Sequence, residues 1–177
     1  MEKHDQEIER KKRLIKQLRH DAVIKAAGSA AALFITFNFI FGITLAPTND
    51  MFPAVHEGDL IIYCRPGKII NTDIVIYRDP GGSLQIGRVE GTHGETVGKT
   101  AGGLLTVNGN IQPVQKRTGL YDETYAGVKD ISGEIGADEF LILGDSRETA
   151  SDSRSFGLIP RRAIKGKAFT IIRRRPL

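Results

Sequence analysis

A mainly β, antiparallel domain carried on a single N-terminal transmembrane helix is the architecture this sequence predicts. Three observations predict it. Twenty-one consecutive residues, opening at Ala26 and closing at Ala46, carry no charge. Past Pro47, short runs rich in Ile, Val, Tyr and Phe alternate with Gly, Pro, Asn and Asp clusters. No long amphipathic period or internal repeat interrupts that alternation.

The elements follow in order. Residues 1–25 hold eight Lys/Arg and five Asp/Glu, with Ile8, Leu14, Ile15 and Leu18 as the few apolar side chains. Glu7 with Lys11 and Glu9 with Arg13 stand at the four-residue spacing of helical ion pairs, so this basic tail reads as helix. Residues 26–46 follow. At 1.5 Å per residue they span roughly 30 Å, enough to cross a bilayer's hydrocarbon core. A cleaved leader has a shorter apolar region, and a cut after Thr44-Leu45-Ala46 would leave Pro47 directly behind it. A surface-lying helix needs a charged face, which this run lacks. The basic tail ahead of the span places the N-terminus in the cytoplasm and residues 47–177 on the outer face of the cell membrane.

The outer domain takes its strands from residues 59–65, 73–78, 84–90, 140–143 and 168–173, with a turn at Asp79-Pro-Gly-Gly82. Residues 104–112 read as a hairpin, because Asn108-Gly109 suits the positive φ angles of a type I′ turn. The formal net charge is +4, but past residue 46 seventeen basic residues meet sixteen acidic ones. A nucleic-acid surface is therefore not expected. Cys64 is the one cysteine, read as a half-buried small hydrophobe, which excludes an internal disulfide. No Cys/His spacing suggests a metal, and no cofactor is expected. The run at Arg173-Arg-Arg175 reads as a solvated end.

Four stretches in this order resemble the conserved boxes of the type I signal peptidases, serine–lysine peptidases that remove export signals. The most specific is Gly144-Asp-Ser-Arg-Glu-Thr-Ala-Ser-Asp-Ser-Arg-Ser-Phe-Gly157, close to G-D-N-R-x-x-S-x-D-S-R. With it stand Pro47-Thr-Asn-Asp-Met-Phe-Pro53 ahead of Gly58-Asp59, then Asp73-Ile-Val75, then Gly87-Arg-Val-Glu-Gly91. The resemblance implies a β domain in which a serine attacks the scissile carbonyl and a neutral, buried lysine takes its proton. A hydroxyl and a backbone N–H then stabilise the oxyanion.

Carried over residue by residue, the nucleophile of P-S-x-S-M-x-P falls on Asp50 and the base of K-R-V on Gly87. The serine that hydrogen-bonds the lysine falls on Ala150. Thr48 keeps the oxyanion-hole hydroxyl, and Met51, Pro53, Arg88, Asp145, Arg147, Asp152 and Arg154 keep their family positions. The charged ones are structural braces in the family. A carboxylate with no base beside it is a poor route to peptide hydrolysis, and a pairing of Asp50 with His56 or His93 is the remote exception. Asp50 needs solvent, a backbone N–H or a cation to stay charged, with Arg88 the candidate cation, and glycine at the base position is expected to open space.

The expectation is therefore a pseudo-peptidase whose groove holds an extended chain by strand addition. The Asp and Gly replacements and the short outer domain resemble the degenerate family members of Gram-positive pilus assembly. They imply a chaperone or assembly factor for exported pilin segments, with a sortase as a further partner and the lipid bilayer met through residues 26–46. An active peptidase with an unusual site, and a self-associating scaffold forming a homo-oligomer, are the competing readings. Ser, Lys and Ser at 50, 87 and 150 would be the substitutions to re-arm the site.

Overall fold

A computed structural model describes residues 2–102, 104–112 and 131–174. The chain divides into two compact units, Met1–Ile40 and Phe41–Leu177. The ion pairs expected of Glu7 and Glu9 involve side chains outside the described residues, as does Arg175.

The first unit is one helix, α1 (Glu2–Ile35), ending in a π-helical turn at Thr36–Ile40. Its polar side chains turn back onto their own helix. Ser29 Oγ donates to the Lys25 carbonyl at 2.9 Å, Thr36 Oγ1 to Ala32 at 2.8 Å and Asn38 Nδ2 to Phe34 at 2.8 Å. Such bonding leaves the stretch compatible with lipid, and the helix is long and apolar enough to cross a membrane. The boundary at Ala46 needs correction. Helix stops at Ile40, and Phe41–Leu45 is strand β1. Phe41, Ile43 and Leu45 are as apolar as what precedes them, but backbone pairing with a second strand outweighs helix continuation here. Fifteen helical residues, 26–40, cover only about 22 Å. Counting back to Ala22 gives about 28 Å, close to the thickness of a bilayer's hydrocarbon core.

The second unit is antiparallel β, as expected. Its strands are β2 (Leu60–Cys64), β3 (Ile74–Arg78), β4 (Leu84–Gly91), β5 (Thr96–Lys99), β6 (Leu105–Val107), β7 (Asn110–Ile111), β8 (Gly133–Glu134), β9 (Glu139–Leu143), β10 (Ile159–Pro160) and β11 (Ile164–Ile172). A short helix, α2 (Ser153–Phe156), precedes β10. The large sheet runs β1-β2-β11-β3-β4-β9-β10 and the small one β7-β6-β5-β8. The hairpin turn forms as its residues dictate, with φ of 51° at Asn108 and 77° at Gly109. The turn from β3 to β4 closes through the Gly82 amide on the Asp79 carbonyl and the Ser83 amide on the Asp79 carboxylate, both at 2.9 Å.

The middle of the large sheet is covered on both faces. Val75, Tyr77, Val89 and Ile142 pack into one apolar cluster, and Ile61, Ile76 and Ile86 pack into another with Met51 and Val55. That double burial explains why β3 reads as an unbroken apolar run rather than an alternating one. It also pins the loop after β1. Met51 and Val55 are buried, and the Gly58 amide donates to the Ala46 carbonyl at 2.9 Å while the Ala46 amide donates to Asp59.

Candidate functional site around Asp50

Asp50 sits in that pinned loop, half-buried, beside the segment that follows β9. The Ser146 amide donates to the Asp50 carbonyl at 2.8 Å, and the Ala150 amide returns to the Ser146 carbonyl at 3.0 Å. Gly144 lies between them. A side chain there would meet the Ala150 methyl and come within 2.7 Å of the Asp50 carbonyl, so only glycine permits this approach. Gly87 is buried on β4, opposite Val75, where a Cβ would stand 2.5 Å from Ile142 Cγ2 and 3.3 Å from both the Leu143 carbonyl and Tyr77 Cε1. The three positions assigned to the catalytic unit, Asp50, Gly87 and Ala150, are therefore gathered around the end of β9.

The space expected at Gly87 is absent. Ile142 and Tyr77 fill it, as close packing of a buried interior requires around a residue without a side chain. Arg88 also departs from expectation. Residues 87 and 88 of a strand point to opposite faces. The Arg88 guanidinium grips Asp145 instead of Asp50, with Nε to Oδ1 at 2.8 Å and Nη2 to Oδ2 at 2.7 Å, and Nη1 donates to the Thr72 carbonyl at 3.1 Å. The Asp145 contact raises the Arg88 pKa, outweighing its partial burial. Among the described residues no donor reaches the Asp50 carboxylate, while its own amide donates to Thr48 Oγ1 at 3.4 Å.

The remaining charged family positions form a brace. Arg147 Nη2 meets Glu90 Oε1 at 3.0 Å. Asp152 accepts from Arg154 Nε and Nη2 at 2.8 Å each and from the Gly144 amide at 2.9 Å, and it caps α2 through the Arg154 amide. Arg154 Nη1 reaches the Arg147 carbonyl at 2.6 Å. These bonds hold residues 144–154 as a rigid arch over Asp50, which suits a structural role. Met51 is buried as an anchor, while Thr48 and Pro53 are exposed.

Neither histidine serves Asp50. His56 lies 3.8 Å from Asp59 and edge-on to the Phe52 ring, and His93 is exposed with Nδ1 3.3 Å from the Ile135 carbonyl. Among the described residues no group of three His, Cys, Asp or Glu side chains is placed to hold a metal. Cys64 is half-buried, its thiol against the Pro66 carbonyl.

Two residues beside the site escaped sequence reasoning. Ile142 and Tyr77 belong to strands whose apolar pattern signals core and nothing more. Tyr77 is fully buried, and its hydroxyl has no hydrogen-bond partner among the described residues. Burial first, then the nearby charges of Asp152, Asp50 and Asp79, push its pKa above the usual phenol value.

A family model described as signal peptidase, peptidase S26, matches residues 20–173. Signal peptidase I of Leptolyngbya laminosa is 29% identical over 159 residues, covering 82% of this chain and 75% of that protein. Signal peptidase IB of Staphylococcus aureus (strain Mu50) is 29% identical over 162 residues, 82% and 84% of the two chains. A protein named inactive signal peptidase IA from S. aureus (strain COL) is 29% identical over 143 residues, 76% and 79%. Of solved structures, a signal peptidase I from Enterococcus faecalis V583 aligns with a TM-score of 0.46 at 22% identity, covering 57% of this chain and 97% of that one.

Proposed function

Because the chain belongs to the peptidase S26 signal peptidase family, we propose that it is a membrane-anchored, non-catalytic member that binds exported polypeptide without cutting it. The observation that carries this reading is the surroundings of Asp50 and Gly87. Serine–lysine hydrolysis needs an attacking oxygen and a neutral amine within hydrogen-bond reach. Position 87 carries no amine and Ile142 occupies its space, while the nearby guanidinium is committed to Asp145. A lone carboxylate lacks the second group with which acid pairs activate water.

What remains is a surface for an extended chain. Among the described residues β1 is the outermost strand of the large sheet, pairing only with β2, and it runs directly into the Asp50 loop. Its outer edge offers backbone donors and acceptors in the manner of strand addition. The client we assign is an exported pilin segment, with a sortase as second partner, in keeping with the Asp and Gly replacements at 50 and 87. The basic tail orients the N-terminus toward the cytoplasm and this edge toward the outer face.

The competing reading, an active peptidase with an unusual site, draws on the relatives named signal peptidase I and IB. Full-length protein in detergent, incubated with a preprotein bearing an Ala-x-Ala site, separates the two. The expected result is binding of the exported segment without cleavage above background. Cleavage that disappears in Asp50→Ala would overturn the proposal.

A further inference from the structure

Gly87 raises a question that its backbone does not answer. It lies on β4 paired with Val75 of β3, one residue before the β9 pairing that starts at Arg88 with Leu143, and it is not among the glycines of positive φ. A strand glycine is normally a weak point, since it loses more chain entropy on folding and packs nothing. Only its surroundings call for glycine. On the same face of the sheet, Val75 and Tyr77 of β3, Val89 of β4 and Ile142 of β9 close into one buried cluster. Ile142 is fully buried and β-branched, so its Cγ2 cannot swing away as the end of a flexible chain would. The Tyr77 ring and the Leu143 carbonyl close the remaining sides at 3.3 Å.

We infer that Ile142, flanked by Tyr77, acts as a plug in the place where a base would stand, so that glycine at 87 is obligatory and the site cannot be re-armed by changing 50, 87 and 150 alone. The inference deepens the non-catalytic reading of the preceding subsection and rests on it for its functional meaning. Its physical content is a steric coupling between positions 87 and 142. Loss of the base and growth of the core into its place then form one packing change. That makes reversal a two-strand problem.

The coupling is measured on the full chain in detergent micelles by thermal and urea unfolding, read by circular dichroism and by the reaction of Cys64, the one cysteine, with a thiol dye. Gly87→Ala should lower the folding equilibrium constant about tenfold or more, as forcing a methyl into a packed core does. Ile142→Ala should be destabilised by its cavity, and adding Gly87→Ala to it should cost nothing further or recover stability. In the chain carrying Asp50→Ser, Gly87→Lys and Ala150→Ser, Ile142→Ala should raise the melting temperature. Gly87→Ala folding as well as the parent, or equal effects of Gly87→Ala with and without Ile142, would overturn the plug. Cleavage by the unaltered protein would instead sink the non-catalytic reading and leave this coupling untouched, so the two failures are distinguishable.

Discussion

The Arg88–Asp145 pair adjoins Ser146, whose amide bonds the Asp50 carbonyl, and breaking it tests whether the charged family positions hold the arch together. Asp145→Asn removes the charge while keeping the shape. The Asp145 side chain is 8% exposed and that of Arg88 26%. Two short parallel bonds join them, and Arg88 makes a third to the Thr72 carbonyl. Removing one member of a buried pair leaves the other uncompensated, at a cost of about 3–5 kcal/mol. Water reaching the quarter-exposed guanidinium reduces that to about 2–3 kcal/mol. For a folded unit of this size, the melting temperature should fall by about 6–9 °C. Arg88→Lys keeps the charge but loses the fork, and should cost about half as much. The assay is thermal unfolding of the full chain in micelles, with Cys64 as the reporter. The double variant Arg88→Met with Asp145→Leu should be less unstable than the sum of its single changes. A shift under 2 °C for Asp145→Asn, or strict additivity in the cycle, would refute the view that these charges brace the site.

Tyr77→Phe removes a buried hydroxyl that has no described partner, and should leave the protein equally stable or about 1 kcal/mol more stable at neutral pH. The folded state raises the Tyr77 pKa, so its stabilising effect is present below the unfolded value of about 10 and is lost as pH climbs beyond it. Urea titrations at rising alkaline pH should therefore show a steeper loss in the parent than in Tyr77→Phe, and parallel curves would contradict the burial. Finally, helix ending at Ile40 moves the span toward the N-terminus. With Cys64 replaced by Ala, a cysteine at Ile24 should resist a membrane-impermeant maleimide in intact vesicles and in vesicles opened to both sides. One at Leu14 should react in the opened vesicles, and equal labelling of both would refute the shift.

The nature of the chain was legible in its residues wherever local chemistry decides structure. An uncharged run marked the apolar helix, Asn108-Gly109 marked its hairpin, and the spacing from Gly144 to Gly157 marked the family and the arch that carries Asp145, Asp152 and Arg154. The order of the boxes singled out Asp50, Gly87 and Ala150, and the fold brings Asp50 and Ala150 against Gly144 and Gly87 against Leu143. Other features depend on partners distant in sequence. The identical apolar character of Ile40 and Phe41 conceals the switch from helix to strand, which arises because Phe41–Leu45 finds β2 to pair with. The partner of Arg88 was decided by the alternation of β4, which turns its side chain away from the face of Gly87 and onto Asp145, 57 residues away. Whether glycine at 87 left a hollow or a packed wall rested on Ile142 crossing from the adjacent strand. Composition and motif report what each residue offers, whereas packing density is a property of neighbours brought together by the fold. That is why the glycine at 87 could be read from the chain and the Ile142 side chain packed against it could not.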